Sequence, residues 1–210
     1  MKMPRSPAEL ERIRARIIEA ALSIIEEEGF HSLTMRRLAA RLHMSAPNLY
    51  NFFKCKEEIY ISLVINGFKM LHDDLEISWK SHNEPVSRAH ALIESYMRFG
   101  LENKAYYDVM FIKDTPRHND YIGTPFEDLS SVEYRISAEI ARLGMDALKD
   151  VAKDRSHLDK DDVIYNIIKI WSMLHGMISL ANSKMVGYIA PDVEKTYGRI
   201  IDDIIEQYGS

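Results

Sequence analysis

The stretch Leu33-Thr34-Met35-Arg36-Arg37-Leu38-Ala39-Ala40-Arg41-Leu42-His43-Met44-Ser45-Ala46-Pro47-Asn48-Leu49-Tyr50-Asn51-Phe52-Phe53-Lys54 decides how the rest of the chain is read. Thr34 is a hydroxyl cap for a short helix, with Leu33 and Leu38 placed as a hydrophobic staple across its first turn. His43 and Met44 form a tight turn. Ser45 caps a second short helix, and Pro47 falls in its first turn, where a missing N–H is harmless. Leu38, Ala39, Leu42, Leu49 and Phe53 recur at helical spacing and are expected to be core. Two short helices joined by a tight turn can set the second into the major groove of DNA.

Outward from this stretch the periodicity stays helical, and no alternating strand pattern occurs. Upstream, Ser6, Pro7 and Glu9 make a capping box that starts a long helix. Leu10, Ile13, Ile17, Ala21 and Ile24 form its apolar stripe, Arg12, Arg14 and Arg16 are left to solvent, and Gly29 is the expected left-handed stop. Downstream, a long helix opens near Lys56 and carries Tyr60, Leu63, Val64, Gly67, Phe68, Leu71, Leu75 and Trp79 to a break at Asn83–Pro85. Further helices are expected over Val86–Asn103, Tyr106–Ile112, Phe126–Ala152, Asp161–Met185 and Pro191–Tyr208. Lys113 to Pro125 reads as a long mobile loop, a candidate lid. The fold class is therefore all-α, with about nine helices. A helix-turn-helix domain occupies residues 1–55 and a second helical domain residues 56–210.

The bulk properties narrow the function. The 210 residues carry a net charge of −5. Residues 1–60 hold ten Lys/Arg against eight Asp/Glu (+2), and the remainder seventeen against twenty-four (−7). A mildly basic head on an acidic body suits a protein that offers nucleic acid one surface. Cys55 is the single cysteine, so no internal disulfide forms and a reducing compartment is expected. Lys2 and Arg5 are followed by charged residues rather than the apolar run of a signal peptide. Ile170 to Ser183 is too short to span a bilayer. A soluble cytoplasmic protein, without a membrane partner, is the expectation.

The surface of the two short helices fits DNA chemically. Thr34 and Ser45 bring hydroxyls and helix N-termini to phosphate oxygens. Asn48 and Asn51 carry amides that read base edges, and Tyr50 presents a phenol. Arg36, Arg37, Arg41, Lys54 and Lys56 surround them with positive charge. The ordered run Ile17-Ile18-Glu19-Ala20-Ala21-Leu22, Glu28-Gly29-Phe30, Leu33 to Ala39, Met44-Ser45 and Leu49 to Ile59 resembles the N-terminal domain of tetracycline-repressor-like (TetR) regulators. The resemblance covers about a quarter of the chain. It implies a cytoplasmic homodimer that binds palindromic double-stranded operator DNA, represses transcription, and releases DNA when a small molecule binds the C-terminal domain. Thr34, Ser45, Asn48, Tyr50 and Lys56 fall where that family commonly contacts DNA, and Arg36, Arg37, Ala46, Pro47, Asn51 and Lys54 complete the expected surface. Two positions depart from the family pattern. Phe52 stands where a phosphate-contacting histidine is frequent and is assigned no contact. Cys55 replaces the usual cap of the next helix, at a cost of about 1 kcal/mol.

In the C-terminal half, Trp171-Ser172-Met173-Leu174-His175-Gly176 resembles a Trp-x-x-x-His-Gly signature of one group of these regulators. There His175 lines the ligand cavity, or it is a satisfied core histidine. Phe68, Tyr96, Phe99, Tyr107, Met110, Phe111, Trp171 and His175 are the expected walls for an apolar or amphipathic effector. Ile164, Ile168, Ile178, Tyr197, Ile201 and Ile204 are the expected dimer contacts on the last two helices. No cofactor is expected. An activator or an adaptor of the same fold is the nearest alternative. A metal-dependent enzyme would draw on His72-Asp73-Asp74, His118-Asn119-Asp120 and His157-Leu158-Asp159. None of these has i,i+4 ligand spacing, and no phosphate-binding glycine loop or nucleophile elbow occurs.

Overall fold

The computed structural model describes residues 6–152 and 159–209. Lys2 and Arg5, and His157 and Leu158 of the third His/Asp cluster, lie outside these residues. Ten α-helices occur among the described residues, and no strand does: α1 (Pro7–Glu28), α2 (Met35–Arg41), α3 (Ala46–Tyr50), α4 (Lys56–Ser81), α5 (Pro85–Glu102), α6 (Lys104–Tyr107), α7 (His118–Tyr121), α8 (Glu127–Val151), α9 (Lys160–Asn182) and α10 (Val193–Gly209). The chain divides into two compact units, Met1–Lys69 with Ala105–Ile136, and Met70–Lys104 with Ser137–Ser210.

In the first unit the local signals form as read. Ser6 Oγ accepts from the Glu9 amide, and the Glu9 carboxylate accepts from the Ser6 amide at 2.7 Å. Gly29 ends α1 at φ 84°, donating its N–H to the Ile25 carbonyl. Its ψ of 165° makes this an extended glycine-only geometry rather than the left-handed helical cap expected. The buried stripe of α1 is wider than predicted: Ile18, Leu22 and Ile25 join Ile17, Ala21 and Ile24, while Leu10 is exposed. Leu33 and Leu38 are both fully buried on either side of the Thr34 cap.

The helix expected over Tyr106–Ile112 forms, but the segment after it differs from the loop expected. Asp108–Ile112 winds one turn of π-helix, and α7 follows inside the predicted lid. Thr115 Oγ1 and Arg117 Nη1 donate to the Val109 carbonyl at 3.1 and 3.2 Å, and Tyr60 Oη donates to the Pro116 carbonyl at 2.8 Å. Pro116 and Gly123 signalled a break in helix, but these side-chain bonds tie the segment down. The Tyr60 bond spans 56 residues, which local pattern does not reveal.

In the second unit α5 is central, packing on both α9 and α10. Gly100 lies against the Ile178 side chain, and the Asn182 amide donates to the Gly100 carbonyl at 3.1 Å. Arg88 stacks on Trp79 and pairs with Asp150 at 2.9 Å, joining the ends of α4, α5 and α8.

Candidate functional site

The helix-turn-helix surface is built from its caps upward. Thr34 Oγ1 accepts from the Arg37 amide at 3.2 Å, and Ser45 Oγ accepts from the Asn48 amide at 3.4 Å. Each hydroxyl is exposed, so it caps its helix while facing solvent. Between the helices His43 takes φ 52°, and the Met44 amide closes the turn on the Ala39 carbonyl at 2.9 Å. Leu38, Ala39, Leu49 and Phe53 are buried beneath, whereas Leu42 is half-buried. Above them Arg36, Arg37, Pro47, Asn51 and Lys54 are exposed, Tyr50 is 52% exposed, and Ala46, Asn48 and Lys56 are partly exposed. All eleven residues predicted for DNA therefore lie at the surface of one small domain. Phe52 is buried.

The charges on this surface are unequal. Arg37 pairs with Glu28, and Arg41 donates to both oxygens of Glu27 and to Ser23 of α1. That arginine holds the Glu27 carboxyl down to about 2. Arg41 is thus tied to α1, while Arg36 forms no ion pair among the described residues. Lys56 Nζ sits 5.0 Å above the Phe30 ring centroid. Arg14, expected free in solvent, instead donates to the Phe52 carbonyl at 2.5 Å and stacks on Phe53 at 4.1 Å. It braces α1 against the end of the second short helix, a contact across 38 residues with no local signal. The start of α4 is also better supported than its missing cap implied. The Glu58 carboxylate accepts from the Lys54 amide at 2.6 Å. Burial holds the Cys55 thiol above its ordinary range despite the amides of Glu58 and Glu57 beside it.

The eight residues expected to wall a pocket fall four in each unit. In the first, Phe68 and Tyr107 both contact Phe111, at 5.6 and 5.2 Å between ring centroids, and Met110 Sδ fills the space over Gly67. In the second, Trp171 Nε1 donates to Tyr96 Oη at 2.6 Å, and Tyr96 Oη lies 3.2 Å from His175 Nε2. Trp171 and His175 are one turn apart on α9 and meet Tyr96 of α5, which gives the Trp-x-x-x-His spacing a structural use. Burial lowers the His175 pKa, which favours the neutral ring. Phe99 is buried in the same unit.

The predicted dimer contacts divide by exposure. Ile164 and Ile168 are exposed at 40% and 54%. Ile178, Ile201 and Ile204 are buried within the unit, and Tyr197 Oη donates inward to the Met177 carbonyl at 2.7 Å. The apolar stripe of α10 packs inward and its outer positions are charged, so of these two helices it is α9 that leaves large apolar side chains exposed, Tyr165, Trp171, Met173 and Leu180 among them. By length and composition α9 is the one helix among the described residues apolar enough to cross a membrane. Among the described residues no group of three His, Cys, Asp or Glu could hold a metal ion. His72 faces Asp73 and Glu139 as an ordinary partly exposed ion-pair site.

A capped helix-turn-helix on an all-helical body defines a DNA-binding transcription regulator. Residues 17–63 match the profile of the bacterial regulatory proteins of the tetR family, and residues 89–204 that of a tetracyclin repressor-like C-terminal domain. The chain belongs to the TetR family of transcriptional regulators. It is 29% identical over 100 residues to the HTH-type transcriptional regulator YobS of Bacillus subtilis, covering 46% of this chain and 50% of that one. It is 21% identical over 130 residues to IcaR, the negative regulator of the biofilm operon icaADBC in Staphylococcus aureus, covering 62% and 68%. The chain spans about half the length of the first two curated relatives it matches. The structure of the ketosteroid transcriptional regulator KstR2 of Mycobacterium tuberculosis superposes with a TM-score of 0.69 over 93% of this chain and 94% of that one, at 16% identity.

Proposed function

We propose that this regulator is a cytoplasmic, homodimeric repressor that binds a palindromic operator and releases it when a small apolar or amphipathic molecule binds its C-terminal region. The observation that carries the reading is the outward placement of Thr34, Ser45, Asn48, Tyr50 and Asn51 on two short helices whose apolar sides are buried. In this reading residues 1–55 bind DNA and residues 56–210 bind effector and partner. Asn48 and Asn51 read base edges, while Thr34, Ser45, Tyr50, Arg36 and Lys56 hold phosphates.

The exposed apolar face of α9 supports the dimer. Ile164, Tyr165, Ile168 and Trp171 lie within two turns of α9 and leave large apolar side chains exposed to water. A second copy covers them, and two recognition helices then sit about one DNA turn, roughly 34 Å, apart. The same apolar length serves contact between copies rather than a bilayer. The negative regulator among the relatives supports repression. The ketosteroid regulator among the structural neighbours supports an effector with a large apolar part. The test is displacement of a duplex carrying the operator by a metabolite screen. Release at a defined stoichiometry is expected, and a complex insensitive to every compound would contradict the effector reading.

A further inference from the structure

Beneath residues 115–121 the first unit carries a polar layer that the DNA-facing surface does not use. Tyr60 Oη donates to the Pro116 carbonyl, Thr115 and Arg117 donate to Val109, and His118 Nδ1 lies 2.8 Å from the buried Ser130 Oγ. One buried atom in this layer lacks a partner. Tyr121 is 6% exposed, and its hydroxyl makes no hydrogen bond among the described residues. Glu133, one turn beyond Ser130 on α8, is 7% exposed.

Buried polar atoms are almost always satisfied, so the unpartnered Tyr121 hydroxyl calls for an occupant. The Tyr121 hydroxyl is in electrostatic range of Tyr60, Glu57, Glu133 and Asp120. Arg117 opposes Glu133, but its Nη1 is engaged by Val109, and its single charge offsets only one of three carboxyls. The layer is thus net acidic and flanked by aromatic rings, with Tyr121 edge-on to Phe126 at 6.1 Å. Acidic groups among aromatic faces attract organic cations.

We propose that this layer recognises the protonated amine head of a small amphipathic ligand, with Glu133 as counter-ion and the Tyr121 hydroxyl as hydrogen-bond partner. The inference rests on the effector reading above and names the chemistry of the effector's head. The ammonium donates to Tyr121 Oη and to the Glu133 carboxylate. Burial holds the Glu133 carboxyl up at about 7, so near neutral pH much of it is protonated. Ligand binding breaks that O–H bond and sends the proton to solvent. Glu57 and Tyr60 on α4, Asp120, Tyr121 and His118 on α7, and Arg117 before α7 are the other titratable groups around it.

The test titrates the full-length chain, without DNA, with phenethylamine, phenethyl alcohol and hydrocinnamate by calorimetry. The amine is expected to bind at least about tenfold more tightly than the alcohol or the carboxylate, with proton release in buffers of different ionisation enthalpy. Glu133→Gln is expected to remove that preference while remaining folded, and Tyr121→Phe to weaken amine binding several-fold. Equal affinity for amine and carboxylate, absence of saturable amine binding at millimolar concentration, or an unchanged preference in Glu133→Gln would overturn the proposal. A water-filled layer gives the second of these results. Amine binding that leaves the operator complex intact would instead contradict the release mechanism and leave this site standing.

Discussion

Asn48 and Arg36 sit on the same small surface but should fail differently. Asn48→Ala is expected to weaken the specific operator complex by about 1–3 kcal/mol while leaving binding to random duplex unchanged. Arg36→Ala should weaken both and reduce the slope of log affinity against log salt by about 1. Fluorescence anisotropy across a salt series separates the two. Glu133 offers a second residue-scale prediction, in stability. Its carboxyl titrates in the ordinary range near 4 when unfolded and at about 7 when folded. Between those values the folded state keeps a proton the unfolded state has lost, so its stability, highest below the unfolded pKa, falls as pH rises and levels off above about 7. Glu133→Gln should flatten this dependence and be more stable at pH 8 by on the order of 2–3 kcal/mol, read by urea melts at several pH values. A wild-type profile that rises through the same window would contradict it.

At the scale of elements, the helix starts were legible because capping is local. Ser6 with Glu9, Thr34 with Leu33 and Leu38, and Ser45 with Pro47 all act within five residues of one another. Arg14 was misjudged for the opposite reason. It bonds the Phe52 carbonyl, 38 residues away, and nothing in its own neighbourhood names that partner. The α5–α9 crossing is a further case. Gly100 looks unremarkable in sequence, yet a Cβ there would lie 2.6 Å and 2.9 Å from the Cδ1 and Cγ2 atoms of Ile178. Ile178 is fully buried and β-branched, so it has little freedom to yield. Gly100→Ala should therefore destabilise by about 1–3 kcal/mol despite alanine's better helix propensity, and adding Ile178→Val should recover part of the loss. A gain in melting temperature from Gly100→Ala alone would show that the crossing is looser than this.

For the whole molecule, the apolar periodicity of the last two helices pointed to an interface without telling which faces are internal. Ile178, Ile201 and Ile204 share the spacing of Ile164 and Ile168, and only packing against α5 separates them. The prediction narrows accordingly. Ile168→Glu, or Tyr165→Glu with Ile164→Glu, should give a folded monomer by sedimentation, with operator affinity reduced by at least about a hundredfold because one half-site is lost. An unchanged dimer would move the interface away from α9. The central claim remains that the helix-turn-helix surface reads DNA sequence, and one measurement bears on it most directly. Affinity for duplex from the chain's own upstream region is compared with that for a shuffled duplex at physiological salt, using the wild type and Asn48→Ala. A preference of at least about a thousandfold for the upstream duplex, reduced at least about tenfold by Asn48→Ala, is the expected result. Equal affinity for the two duplexes, or a preference indifferent to Asn48, would contradict it.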